Sequence, residues 1–238
     1  MDGKTRMHGK TVVVTGAFGV LGRAAAVAAA ERGASVAAIS LEPSPPADLA
    51  HQLGRHALIL GGVDLSSHAA AKTAMAEVKI KFGRLDVLFN IAGGFEWEAI
   101  DGVKPESWDR LYTLNLKTAL YACQGALPYL IESGAGRIVN VGAQSALRPT
   151  VGLGAYAASK SAVHRLTESL ADELKLRGVT VNAVLPSIID TPANRREMPG
   201  ADFDRWVKPA DLAAVMLFLA SEEARVITGA LIPVSGKI

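Results

Sequence analysis

Short β-branched runs alternate with longer helix-prone stretches along the whole chain. Thr11–Val14 is a compact apolar run that ends in a glycine-rich turn, as a strand buried on both faces does. Gly22–Arg32 is rich in alanine and predicts a helix, stopped by Gly33. Strands are expected at Ser35–Ile39, Ala57–Val63, Leu85–Ile91, Gly136–Val141, Val179–Leu185 and Ala230–Val234. Helices are expected at Ser66–Phe82, Pro105–Leu130, Ala155–Leu176 and Pro209–Ala220, the last with proline at a favourable first-turn position. Pro43, Pro45 and Pro46 enforce a loop after the second strand. This alternation means crossover units: a parallel sheet with helices on both faces, in one α/β domain over residues 1–238. Thr191–Lys208 breaks the rhythm. It is polar, charged and interrupted by Pro192 and Pro199, and a loop of that length predicts a substrate lid.

Composition narrows the function classes. The chain has 238 residues, half of them hydrophobic, and a net charge of +2. Acidic and basic residues are interleaved, so nucleic acid is not an expected partner and a small-molecule substrate is. One cysteine, Cys123, rules out an internal disulfide framework and a cysteine metal site, and its apolar helical setting predicts a small buried hydrophobe. His8, His51, His56 and His68 show no metal-ligand spacing. Residues 1–10 lack the apolar core of a signal peptide, and no run approaches the ~18 residues that would span a membrane. The expectation is a cytoplasmic protein with no metal and no membrane partner.

Two stretches carry chemistry. Thr15-Gly16-Ala17-Phe18-Gly19-Val20-Leu21-Gly22 follows a strand and opens a helix, the context in which a tight backbone turn and free helix N–H groups receive a pyrophosphate. The plain alternative is an ordinary strand–helix turn. Later strand ends suit the same ligand: Asp64 for an adenine ring, with Leu65 beside it, and small residues at Asn90-Ile91-Ala92-Gly93. Tyr156 and Lys160 are four residues apart and share a helix face. A free phenol has a pKa near 10. A neighbouring ammonium and cofactor charge would lower it and let Tyr156 exchange protons near neutrality. His164, one turn further on, is expected to be structural. Phe95, Trp97 and Trp206 are candidates for an aromatic wall against a flat substrate.

Taken in order, Thr15-Gly-x-x-x-x-x-Gly22, Asn90-x-Ala92-Gly93, Asn115, Tyr156-x-x-x-Lys160 and Pro186-x-x-x-x-Thr191 resemble the short-chain dehydrogenase/reductases, from about Lys10 to Val234. The resemblance implies a Rossmann-type doubly wound domain with seven parallel strands, hydride transfer with a nicotinamide dinucleotide, and a homo-oligomer, dimer or tetramer. It implies catalytic roles for Asn115, Tyr156 and Lys160. For the cofactor it implies contacts from Gly16, Phe18, Gly19, Val20, Leu21, Gly22, Ser40, Leu41, Asp64, Leu65, Asn90, Ala92, Gly93, Tyr156, Lys160, Pro186, Ile189 and Thr191. NAD and NADP both stay open. The family's acid at the end of the second strand is replaced by Ser40, which does not repel a phosphate, so NADP is preferred. Arg23 is a candidate phosphate contact, and Glu42 is a candidate replacement acid.

Three positions depart from the pattern. Val20 replaces a glycine, Ser187 replaces the glycine after Pro186, and Ala143 stands where the family has its substrate-holding serine. Ser145 and Gln144 are candidate substitutes. The alanine, and the segment from Ala183 through Trp206, resemble the dihydropteridine reductase branch. The expected function is therefore an NAD(P)-dependent oxidoreductase acting on a carbonyl, alcohol or conjugated imine. The alternatives are a quinonoid dihydropteridine reductase and a non-catalytic dinucleotide-binding sensor or scaffold.

Overall fold

Val12 and Val14 pack into one hydrophobic cluster and Val13 into another, so the first strand is covered on both faces. That one strand defines the layers in this computed structural model, which describes residues 7–238. The strands are β1 Thr11–Thr15, β2 Ser35–Ile39, β3 Leu58–Leu60, β4 Val87–Asn90, β5 Arg137–Val141, β6 Thr180–Pro186 and β7 Leu231–Val234. They form a single parallel sheet in the order β3-β2-β1-β4-β5-β6-β7. The order reverses direction between β1 and β4. A doubly wound sheet opens a crevice at that point, beyond the C-terminal strand ends.

The helices are α1 Val20–Ala30, α2 Leu49–Leu53, α3 His68–Phe82, α4 Pro105–Tyr112, α5 Thr118–Glu132, α6 Gly154–Leu174, α7 Pro192–Glu197 and α8 Pro209–Leu219. The cluster holding Val12 and Val14 takes its helical side from α1 and α8. The cluster holding Val13 takes its from α3, α5 and α6, and Cys123 lies fully buried within it, as its sequence context predicts.

Several expected elements change in detail. The helix expected over Pro105–Leu130 is two α-helices joined by a π-helical segment at Thr113–Lys117, and Pro128 lies inside the second. The segment after the prolines is not all loop: Leu49 and Leu53, four apart, are both buried and anchor the short α2. Residues 191–208 fold as α7 followed by a 3₁₀ turn at Phe203–Arg205. Ile189 and Val207 form a parallel bridge across the neck of this segment. The signal-peptide expectation falls mostly on residues 1–6, outside the described part. Among the described residues no helix is long and apolar enough to cross a membrane, and no group of three or more His, Cys, Asp or Glu side chains is placed to hold a metal.

Candidate active site

The turn after β1 is shaped by its glycines. Gly16 has φ +63°, and a Cβ there would meet the Ala92 backbone at 2.9 Å. A Cβ on Gly22 would meet Gly16 O at 2.1 Å, so α1 can close on the turn only with glycine at that position. The N-terminus of α1 begins at Gly19 with no side-chain cap, which leaves its first N–H groups for a ligand. Val20, expected from the resemblance to stand in for a glycine, is 44 % exposed with its side chain clear of the core. Thr15 fixes the turn against β4: its Oγ accepts from the N–H groups of Ile91 and Ala92 at 3.0 and 3.1 Å. A dinucleotide pyrophosphate therefore fits what this turn offers.

At the end of β2, Ser40 is buried and its hydroxyl donates to Glu42 Oε2 at 2.6 Å while accepting from Phe18 N–H at 3.4 Å. Glu42, the candidate replacement acid, is thus held by Ser40. Leu41 between them is exposed. Arg23 turns away from this corner toward Asp48 and Gln52. Asp64 is exposed and accepts from Ser66 N–H at 2.8 Å, while Leu65 is buried.

The central cavity, about 810 Å³, runs from Leu21 and Gly93 past Tyr156 and Lys160 to Pro186, Ile189 and Thr191. Asn90 forms part of the floor support. Its Nδ2 donates to Asn140 Oδ1 at 2.8 Å, and Asn140 Nδ2 in turn donates to Thr167 Oγ1 at 2.8 Å, tying β4 to β5 and α6. Gly93 has no room for a side chain, since a Cβ would meet Asn115 Oδ1 at 2.5 Å and Lys160 Nζ at 3.4 Å.

Asn115 sits in the π segment, buried, with its amide fully used. Oδ1 accepts from Gly94 N–H at 2.9 Å, and Nδ2 donates to Gly94 O at 3.1 Å and to Ser159 Oγ at 2.9 Å. It therefore braces the β4 loop against α6. π segments commonly mark functional positions in helices, because the extra residue redirects side chains. Lys160 is buried and donates to Val141 O at 2.8 Å. Tyr156 meets the ring of Phe95 edge-on, with centroids 4.9 Å apart. Burial pushes the phenol up to about 12 and the Lys160 ammonium down to about 8. The expected lowering of Tyr156 is therefore absent from the protein alone: desolvation dominates, and the ammonium is engaged by a carbonyl.

Ala143 is buried beside this pair, in the cavity wall. Of its candidate substitutes, Gln144 lines the cavity and donates to Ser235 Oγ at 2.6 Å. Ser145 lines the cavity. His164 is structural, as expected. Its ring fills the space beside Gly142, where a Cβ would meet Nε2 at 2.4 Å, and Nε2 accepts from Ala143 N–H at 3.4 Å. Burial, then the charges of Arg165 and Lys160, depress its pKa to about 4, so it is neutral near pH 7.

Phe95 and Trp97 line the cavity, but Trp206 does not. Trp206 is 5 % exposed and packs on Phe203, with ring centroids 4.8 Å apart, in the heel of residues 191–208. Its size and spacing resemble those of a wall residue, but Arg195 over the Phe203 ring seals that pair in its own cluster. The segment reaches the cavity through Thr191, which is expected at the site, and through Asn194, Glu197 and Met198, for which the sequence predicts no cavity contact. A polar, charged stretch hides which side of a one-and-a-half-turn helix will face inward.

A crevice at the sheet's switch point, a glycine turn at an uncapped helix and a buried tyrosine–lysine face define a dinucleotide-binding oxidoreductase site. The short chain dehydrogenase family matches residues 10–201. The chain is 34 % identical to the D-threitol dehydrogenase of Mycolicibacterium smegmatis, over 99 % of this chain and 95 % of that protein. Its fold superposes on the 3-ketoacyl-(acyl-carrier-protein) reductase of Brucella melitensis complexed with NADH, with a TM-score of 0.87, 30 % identity and coverage of 97 % and 99 %. It also matches carveol dehydrogenase of Mycobacterium avium in complex with NAD, with a TM-score of 0.86, 27 % identity and coverage of 98 % and 99 %. The protein belongs to the short-chain dehydrogenase/reductase family and is an oxidoreductase.

Proposed function

We propose that the protein interconverts an alcohol and a carbonyl compound by hydride transfer, with NAD as cofactor and Tyr156 as the proton donor. The observation that carries this reading is the α6 face, on which Tyr156 reaches the cavity wall and Lys160 lies buried one turn away. Relatives named for threitol, 3-ketoacyl and carveol substrates all act on alcohol–carbonyl pairs.

The nicotinamide supplies or receives the hydride when bound. The chain's own residues hold and orient. Gly16, Phe18, Gly19, Val20, Leu21 and Gly22 would bind the pyrophosphate at α1. Ser40, Leu41, Asp64 and Leu65 would border the adenosine, with Asn90, Ala92 and Gly93 as floor and Pro186, Ile189 and Thr191 on the nicotinamide side. Glu42 favours NAD over the NADP suggested by Ser40 alone, because a 2′-phosphate would meet its carboxylate at the end of β2. Residues 191–208 would act as the lid.

Tyr156 is protonated at neutral pH, which suits it to donate to an oxygen that gains charge during reduction. Lys160 places a cation beside the phenolate left behind. Asn115 acts by bracing the loop and helix that position both.

Tyr156→Phe keeps the ring and removes the acid. Turnover of a carbonyl panel with NADH should fall by ~10²–10⁴-fold while NADH affinity stays constant. Wild-type turnover in this variant would end the assignment.

A further inference from the structure

We propose that the substrate carries its carbonyl on a flat, uncharged ring that lies against Phe95 and Trp97. The proposal rests on the hydride-transfer reading and adds to it the class of substrate.

Both aromatic rings line the central cavity, and both are open to it: Phe95 is 51 % exposed and Trp97 59 %. Both are also fixed. Trp97 Nε1 donates to Val151 O at 3.0 Å, and Glu98 N–H donates to Gly152 O at 2.9 Å, which ties this loop to the one before α6. The indole packs directly on Gly152, where a Cβ would meet Cε2 at 2.1 Å. Phe95 is backed by Tyr156, edge-on at 4.9 Å between centroids. Glu96 lies between the two aromatics and does not line the cavity. Its carboxylate accepts from Arg110 Nε at 2.7 Å and from Arg110 Nη2, which holds the one acid of this stretch away from the rings.

Two large aromatics fixed by their neighbours and open toward a cavity form a stacking surface, and a ligand ring is the group that gains most from covering it. A ring resting on Phe95 lies next to the phenol that would protonate its carbonyl oxygen. Leu153, Ile188 and Met198, all half-buried, continue the apolar lining. Charge at the site disfavours an anionic substrate. Lys160 is buried and donates to Val141 O, whereas the Glu197 side chain is on an exposed residue of the lining. The carboxylate is therefore the charge that a substrate group meets from the solvent side. Arg148 lines an adjoining hollow that shares Gln144 and Ser145, and it does not line this cavity.

The test uses the full chain with saturating NADH and three probes: acetophenone, the straight-chain methyl ketone of equal carbon number, and acetylbenzoate. Binding is measured by calorimetry and turnover as kcat/KM. The preference for acetophenone over the straight-chain ketone should fall about 2–10-fold in Trp97→Leu, the scale of one aromatic pair. Taking the change in a ratio cancels the different intrinsic reactivity of the two ketones. NADH affinity should stay constant, which shows that the variant is folded. Glu197→Gln should raise kcat/KM for acetylbenzoate relative to acetophenone several-fold. Turnover of both ketones with the same preference in Trp97→Leu as in the wild type would overturn the ring site and leave hydride transfer standing. Acetophenone binding that depends on Trp97, in a protein that turns over neither ketone, would keep the ring site and remove the hydride-transfer reading. Unchanged discrimination against acetylbenzoate in Glu197→Gln would overturn the selection against charge.

Discussion

Lys160 Nζ donates to Val141 O at 2.8 Å, so the ammonium one helical turn from Tyr156 is fastened to the end of β5. Its pKa is depressed to about 8 by burial, while that of Tyr156 is raised to about 12. In the cofactor-free protein, Lys160 therefore loses its proton first as pH rises. The rate of carbonyl reduction, measured as kcat/KM, should fall above about pH 8 with a single ionisation. Stability should move the other way. Between about pH 8 and 10.5 the folded chain binds fewer protons at Lys160 than the unfolded chain does, so this group makes unfolding harder as pH rises through that window. A kcat/KM profile flat to pH 10 would show that the lysine charge is not needed for proton donation.

Because Ser40 donates to Glu42, the proposed selection of NAD would be a property of two residues acting together. Glu42→Gln removes the charge and keeps the shape. The kcat/KM ratio of NADH to NADPH should drop by about tenfold or more, the scale of one charge-dependent contact. Ser40→Ala should shift it in the same direction but less, since the carboxylate remains and only its anchor goes. An unchanged ratio in both variants would place the ribose elsewhere.

The segment 191–208 is held at its neck. Asp190 accepts from Arg195 Nε and Nη2 at 2.6 and 2.8 Å and from Lys208 Nζ at 2.8 Å, and these partners hold its carboxyl far below the usual range. The heel is fixed separately: the Arg205 carbonyl accepts from Lys237 N–H at 2.8 Å, and Arg205 Nε donates to Lys237 O at 3.1 Å. These two anchors leave α7 and the few residues after it, which carry Asn194, Glu197 and Met198, as the part expected to move. Asp190→Asn should speed hydrogen exchange in residues 192–200 and raise KM for substrate, with exchange at 203–207 unchanged. Uniform acceleration across 191–208 would mean the segment opens as one piece.

Much of this architecture is legible in the sequence because each signal has a local physical cause. Val12-Val13-Val14 before Gly16 requires a buried strand and a tight turn, and the strand–helix alternation requires a parallel sheet. The less legible features depend on partners distant in sequence. Glu42 lies two residues past the position where an acid is sought, and only the Ser40 hydroxyl shows that it returns to the same corner. The π segment at Asn115 leaves no mark in hydrophobic period. Trp206 could be assigned to a wall or to a core until Phe203 and Arg195 were placed beside it.

Ala143 brings no hydroxyl to the cavity wall, at the position where the family resemblance leads one to expect a serine, and Ser145, two residues on, lines the same wall. Gln144 lines the wall too, with one amide N–H given to Ser235 Oγ. Reduction of a simple ketone concentrates charge on one oxygen, and a donor there stabilises the transition state. Such a bond, to a charged group, is worth about 1.5–3 kcal/mol, or roughly 10–100-fold in rate. Ala143→Ser should therefore speed reduction of simple ketones by about that factor, with little effect on a conjugated quinonoid acceptor whose charge is spread over a ring. Ser145→Ala separates the two explanations of the alanine. If native activity survives in Ser145→Ala, the natural substrate needs no hydroxyl clamp. If it collapses, and Ala143→Ser brings no gain on ketones, Ser145 already supplies the clamp from two residues further along the chain.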